Sequence, residues 1–322
     1  MASVFLDRSS LDLGDLDLCA LEAAAPGLRY FDATAPEQVA ERLADAELAI
    51  VNKVVLDRST LSSCQRLRLV CVVATGTNNV DLEAARQAGI TVVNCRGYGT
   101  DSLAQHVMLM MLAMSRSLLS YQTSVAAGEW QRASQFCLLD HPIEELGEKT
   151  LGIVGYGTIG QAVARLAEAF GMTVRLSLRP GSDSPVPDRE PLAELLPDVD
   201  VLTLHCPLTP DTRNLIGAAE LGRMKRHALL INAARGGVVD EQALAEALRA
   251  RRIGGAAVDV LSKEPPVSGN PLLEPGIPNL LVTPHCAWGS RTARQRIVAQ
   301  TAENIDAWRR GEALRVVAAP QR

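Results

Sequence analysis

Midway along the chain, residues 150–170 read TLGIVGYGTIGQAVARLAEAF. An apolar run breaks at a glycine-rich turn, and helical spacing begins at once. A strand that feeds a helix in this way has its next strand partner parallel to it, because a parallel pair needs a crossover of about a dozen residues or more. The same alternation runs through most of the chain. Upstream, SVFL, LRYF, ELAIVN, LRLVCVVA and ITVVN read as strands, with APEQVAERLADA and DLEAARQAG as helices between them. Downstream, MTVRLSL, DVLTLH, ALLIN, GGAAVDV and LLVTP read as strands, and helices begin near Thr158, Pro191, Ala218 and Asp240. Strands that are apolar throughout, separated by amphipathic helices, imply parallel sheets covered on both faces. The fold class is α/β.

The restart at residue 150 divides the chain into two doubly wound units, and 322 residues are enough for two cores. One unit comprises residues 1–99 and 289–322, and the other residues 100–288. The last helical stretch, SRTARQRIVAQTAENIDAWRRG, has apolar residues at Ile297, Val298, Ile305 and Trp308 and is expected to return to the first unit. The chain then crosses between units near GYGTD and near HCAWGS. A formal net charge of −5 argues against a nucleic-acid surface, which needs concentrated Lys and Arg. The longest oily run, VMLMMLAM, is too short to span a bilayer, and an acid at Asp7 argues against a signal peptide. A cytoplasmic location is expected. The seven cysteines form no CxxC pair, so neither a disulfide framework nor a metal site is expected.

GYGTIG follows a strand and opens a helix, the context in which GxGxxG binds a dinucleotide. Gly155 permits the tight turn, Gly157 lets a pyrophosphate approach the backbone, and Gly160 allows close packing of helix on strand. The N–H groups of Thr158 and Ile159 then face the phosphates at the positive end of the helix. One strand later no Asp or Glu lies between Glu168 and Asp183, where an acid would bind the ribose of NAD. Ser177 and Arg179 stand there instead. An Arg suits a 2′-phosphate, so NADP is as admissible as NAD.

NAARGGVVDE (232–241), VDVLSKEPP (258–266) and TPHCAW (283–288) lie in one chain, which thereby resembles the D-isomer-specific 2-hydroxyacid dehydrogenases. VNKVVLD, GYGTDSLAQH and QFCLLDHP point within that family to its bacterial glycerate dehydrogenase and hydroxypyruvate reductase branch. The resemblance implies a Rossmann-type nucleotide domain inserted in a flavodoxin-like substrate domain. It also implies a homodimer, with residues 101–130 and the oily run at the interface (the alternative being that this run is wholly internal to the second unit), and a small anionic 2-keto or 2-hydroxy acid as partner. The expected activity is reduction of hydroxypyruvate, and of glyoxylate, with NAD(P)H. The alternatives are a dehydrogenase for another 2-hydroxy acid and a corepressor-like protein that senses NADH with little turnover.

The resemblance carries the catalytic roles to Arg235, Glu264 and His285. A guanidinium can pair a carboxylate while polarising the neighbouring ketone. An imidazolium can protonate the oxygen that receives the hydride, and a carboxylate beside it stabilises the charged ring and orients it. By the same resemblance Thr100, His205, Cys206, Pro207, Thr212, Ala233 and Asp259 contact the cofactor, Asp259 through the nicotinamide amide. Thr75 and Gly76 supply backbone amides to the substrate carboxylate, and Asn52 lines the substrate cleft. His205 carries a competing reading as a packed histidine.

Overall fold

In a computed structural model, which describes residues 1–181, 184 and 186–320, the chain divides into two compact units. These are Met1–Gly99 with Gly289–Arg322, and Thr100–Trp288. Asp183, one bound of the acid-free stretch, lies outside the described residues. The strands are β1 (Ser3–Phe5), β2 (Arg29–Tyr30), β3 (Leu48–Val51), β4 (Leu69–Val72), β5 (Thr91–Asn94), β6 (Thr150–Val154), β7 (Thr173–Ser177), β8 (Arg189–Glu190), β9 (Val201–Leu204), β10 (Leu229–Asn232), β11 (Gly255–Val258), β12 (Leu280–Val282) and β13 (Val316–Ala318).

The first unit holds a sheet in the order β13-β5-β4-β3-β1-β2, parallel except for β13, which runs antiparallel to β5. Its parallel part has the 2-1-3-4-5 winding of flavodoxin-like sheets. β3 and β4 are buried along their whole length, which explains their uninterrupted apolar sequence. Buried Asp7, just past β1, accepts the backbone N–H groups of Asn52 (2.9 Å), Lys53 (2.6 Å) and Val54 (3.2 Å). One carboxylate thus gathers the loop that leaves β3. The helix Arg291–Arg309 belongs to this unit and buries Ile297, Val298 and Ile305, as its spacing predicts.

The second unit is an all-parallel sheet in the order β12-β11-β10-β9-β6-β7-β8. Counted from β6 this is the doubly wound order of dinucleotide-binding folds with one more strand, and the winding reverses between β6 and β9. Helices begin at Thr158, Leu192, Ala218 and Glu241, within a residue of their expected starts. Asp240 caps the last by accepting from Ala243 N–H at 3.0 Å.

Two short edge strands, β8 and β13, are not among those read from the sequence. The oily run packs largely inside the second unit. In the helix Thr100–Ser115, Val107, Met108, Met110 and Met111 are buried in the core of the second unit, and Leu109 is 54% exposed. The exposed apolar side chains lie farther on, at Leu118, Leu119, Trp130, Phe136 and Leu139. Among the described residues no helix is long and apolar enough to cross a membrane.

Candidate active site

The glycine turn lies between the C-terminal end of β6 and the helix Thr158–Ala169, at the winding reversal. Gly155 has φ +95°, and a Cβ there would stand 2.7 Å from the His205 carbonyl carbon and 2.8 Å from Cys206 N. A Cβ on Gly160 would stand 2.3 Å from the Gly155 carbonyl oxygen. Both positions therefore exclude any side chain. Gly157 is different: nothing lies within 4 Å of a Cβ built there. The space in front of Gly157, at the first turn of a 12-residue helix, is an open cradle for an anionic group. The residues present fit a dinucleotide pyrophosphate.

Arg235, Glu264 and His285 follow the C-terminal ends of three adjacent strands, β10, β11 and β12. His285 Nδ1 and Glu264 Oε2 are 2.5 Å apart. The other Glu264 oxygen accepts from Leu261 N–H at 2.8 Å, so the carboxylate is held from behind. With Nδ1 engaged, Nε2 on the far side of the ring is the nitrogen offered outward. The pair is partly open to solvent, with side-chain exposures of 29% and 33%.

His285 has a φ of +52°, the left-handed region that a β-substituted residue seldom adopts. Its surroundings hold it there. Its N–H donates to the carbonyls of Asp259 (2.7 Å) and Thr283 (3.0 Å), and its own carbonyl accepts from the Trp288 indole at 3.0 Å. The buried Asp259 carboxylate accepts from Cys286 N–H (2.9 Å), Ala287 N–H (3.0 Å) and the Thr283 hydroxyl (2.5 Å). His106 Nε2 lies 3.0 Å from that hydroxyl. Sequence reading missed His106 and Thr283 as parts of this loop. His106 sits in an apolar helix, and nothing local to either residue points to the other.

Arg235 is exposed, and its guanidinium donates to the Ala234 carbonyl at 2.7 Å. Buried Asn232 holds its loop, accepting from Ala234 N–H and donating to the Arg235 carbonyl, both at 3.1 Å. The next residue fixes the neighbourhood. A Cβ on Gly236 would lie 1.9 Å from the Leu261 carbonyl oxygen, so the backbone after Arg235 rests directly on the loop that leads to Glu264.

The other nominated residues divide by what their side chains already do. Thr158 and Gly157 are exposed at the helix start, Ile159 is half-buried beside them, and Thr100 opens its own helix half-buried. Pro207 is exposed, whereas Cys206 and Ala233 are buried and can offer a ligand only backbone. Several other nominated side chains already hold hydrogen bonds within the protein. The Thr212 hydroxyl is buried and spent on its own loop, donating to the Pro207 carbonyl at 2.6 Å and accepting from Thr209 N–H at 2.7 Å. The buried Ser177 hydroxyl donates to the Leu178 carbonyl at 2.9 Å, which leaves exposed Arg179 facing solvent after β7. Asn52 is buried with its amide on Ser10 Oγ at 3.0 Å, so it supports its loop and does not reach outward. Thr75 is exposed and Gly76 half-buried, and buried Asn94 donates to the Thr75 carbonyl at 2.7 Å. Asp259 has three protein donors on its carboxylate and serves the His285 loop before any ligand.

His205 follows β9 with Nε2 3.1 Å from the Thr203 hydroxyl. Burial pushes its imidazole down to about 4, so the ring is neutral near pH 7. This favours the packed reading for its side chain, while its backbone abuts Gly155. A cavity of about 470 Å³ lies at the opposite, N-terminal edge of the sheet, beside Lys149, Asp200, His227 and Asn279. The Arg235, Glu264 and His285 loops do not line it.

Residues 108–287 match the D-isomer specific 2-hydroxyacid dehydrogenase NAD binding domain. The chain is 45% identical to glycerate dehydrogenase of Methylorubrum extorquens over 98% of both proteins. It is 35% identical to hydroxypyruvate reductase of Blautia hydrogenotrophica over 98% of this chain and 99% of that protein. The crystal structure of the TT0316 protein from Thermus thermophilus superposes with a TM-score of 0.86 at 33% identity, covering 99% of this chain and 100% of that one. The chain belongs to the D-isomer-specific 2-hydroxyacid dehydrogenases, and it is an oxidoreductase with an NAD-binding domain.

Gly236→Ala should lower kcat/KM by about 10²-fold while the protein still folds, because it displaces the Arg235 loop from the Glu264 loop. Steady-state kinetics with circular dichroism checks this, and unchanged kinetics would refute the contact. His205 makes stability pH-dependent. Its folded value lies below its ordinary value of 6.5, so its contribution is complete above that value and is lost as pH falls toward 4. Melting curves from pH 7 to pH 4 should show His205→Gln flattening this loss, by up to about 3 kcal/mol.

Proposed function

We propose that the protein is a glycerate dehydrogenase acting as a hydroxypyruvate reductase, with glyoxylate as a second substrate and NADH or NADPH as reductant. The His285–Glu264 pair carries the reading: a 2.5 Å imidazole–carboxylate contact on the same strand edge as the glycine cradle. The names of the relatives at 45% and 35% identity support the substrate.

Held at the glycine turn by Gly155, Gly157 and Gly160, a reduced nicotinamide cofactor would supply a hydride to the ketone carbon. Arg235 takes the substrate carboxylate and polarises the ketone from the loop after β10, where Gly236 and Asn232 hold its backbone. His285 gives the proton on Nε2 to the nascent alkoxide. Glu264 retains the Nδ1 proton, keeps the ring from rotating and balances its charge while both nitrogens are protonated. Thr75 and Gly76 assist through backbone amides, with Asn52 steadying its own loop in the same unit.

Phosphate binding falls to Gly155, Gly157, Gly160 and the Thr158 and Ile159 amides. Arg179 reads the ribose, and no acid follows β7 closely. The fold supplies one from elsewhere: the Asp211 carboxyl lies against Gly181, at 2.8 Å from a Cβ built there. Arg179 after β7, with Asp211 packed from the segment after β9 beside Gly181, suits use of both cofactors.

The protein is further proposed to be a cytoplasmic homodimer that buries the apolar side chains exposed between Leu118 and Ile143.

His285→Gln should lower kcat by at least about 10²-fold with little change in cofactor affinity. Arg235→Ala should raise KM for hydroxypyruvate and lower kcat as well. Arg179→Asp should shift kcat/KM toward NADH. A wild-type enzyme that oxidises neither NADH nor NADPH with any 2-keto acid would instead mark a cofactor-sensing binding protein. In sedimentation the wild type should run as a dimer and Phe136→Asp with Leu139→Asp as a monomer. A monomeric wild type would refute the dimer.

A further inference from the structure

We propose that His106, Asp259 and Cys286 form a binding site for zinc, and that its occupation disables the His285 loop. The ligands come from three distant parts of the chain: the helix Thr100–Ser115, the end of β11 and the end of β12. Their ligand atoms, an imidazole nitrogen, a carboxylate oxygen and a thiol sulfur, all lie within 4.8 Å of one another. His106 Nε2 and Asp259 Oδ1 are 3.7 Å apart. Bonds of about 2.0 to 2.3 Å arranged tetrahedrally put zinc ligands about 3.5 Å apart. The His–Asp pair is therefore already at coordination spacing. The thiol lies within 4.8 Å of both, and Cys286 is exposed on a loop that can bring it to bonding distance. This donor set favours zinc over magnesium or calcium, which prefer oxygen alone. It has no sequence signature, because none of the three residues is near another ligand in the chain.

The Thr283 hydroxyl now bridges the pair, near His106 Nε2 at 3.0 Å and donating to Asp259 at 2.5 Å. Zinc takes its place. On binding, the Cys286 thiol gives its proton to solvent and His106 carries its ring proton on Nδ1. Three protein–metal bonds form, and water fills the fourth position. The cost falls on Asp259, whose carboxylate also accepts the Cys286 and Ala287 amides that hold His285 in its left-handed conformation. A carboxylate drawn toward the metal slackens those bonds and displaces the imidazole. The site goes beyond the proposed reductase function, because it binds metal whatever the substrate.

The test uses the full-length protein stripped with a chelator. Zinc affinity is measured by competition with a chromophoric chelator, and cobalt serves as the spectroscopic probe. One equivalent of cobalt should give a thiolate-to-cobalt charge-transfer band in the near ultraviolet. The band should survive Cys19→Ser and vanish in Cys286→Ser, and His106→Gln should weaken zinc binding at least tenfold. Variants are compared only where their melting curves match the wild type, with Cys286→Ala as the second choice. Zinc, but not magnesium, should abolish hydroxypyruvate reduction, and the chelator should restore it. No thiolate band, or one that persists in Cys286→Ser, overturns the site. Zinc bound at this site with reduction unaffected overturns the disabling role. A protein inactive toward keto acids would count against the reductase reading and leave the binding result standing.

Discussion

The Asp259 carboxylate is the constraint on which the conformation of the His285 loop depends. It is buried at the end of β11 and gathers two backbone amides and a hydroxyl from the segment after β12. Its own carbonyl takes the His285 N–H. A buried carboxylate is costly unless its lone pairs are filled, so satisfying it forces the next loop into a specific shape. That shape places His285 at positive φ, a strain that the Trp288 indole bond and the Asp259 contacts sustain together. The imidazole is thereby aimed by backbone that cannot relax, and Glu264 has only to meet it.

The same economy recurs on the neighbouring strands. Gly236 lets the loop after β10 lie on the loop after β11, and Gly155 lets the turn after β6 lie on the backbone after β9. In both cases a missing side chain brings two loops into contact, and the residues beside each glycine acquire their positions from it. Parallel sheets make this possible because all their loops of one kind emerge on one edge. Charge, acid–base groups and an anion cradle can then meet without being near in sequence. His205 stands slightly apart: its half-buried, neutral ring packs while its backbone shapes the turn.

Much of this was legible beforehand. Uninterrupted apolar runs such as LAIV and LVCV identify buried parallel strands, and their alternation with amphipathic helices leaves little choice of fold class. GYGTIG in its strand–helix setting marks the cradle. Arg235, Glu264 and His285 are nominated by resemblance of the surrounding motifs, and the structure places them after three adjacent strands. The resemblance also nominates Thr212 and Asn52, and the acid-free stretch after β7 nominates Ser177; in the structure their polar atoms bond within their own loops. A motif preserves the position of a residue without saying whether its hydroxyl faces a ligand or a carbonyl.

Local physics, periodicity and glycine placement were enough to determine the α/β class, the two-unit division of strands and the place of the nucleotide turn, because these depend on neighbours within a few residues. Only the tertiary structure decided that Asp259 organises the His285 loop, that His106 joins it through Thr283, and that Asp211 packs beside Gly181. Those contacts join segments from different strands and helices. A hydrogen bond between such segments depends on three-dimensional registry, which no local pattern encodes.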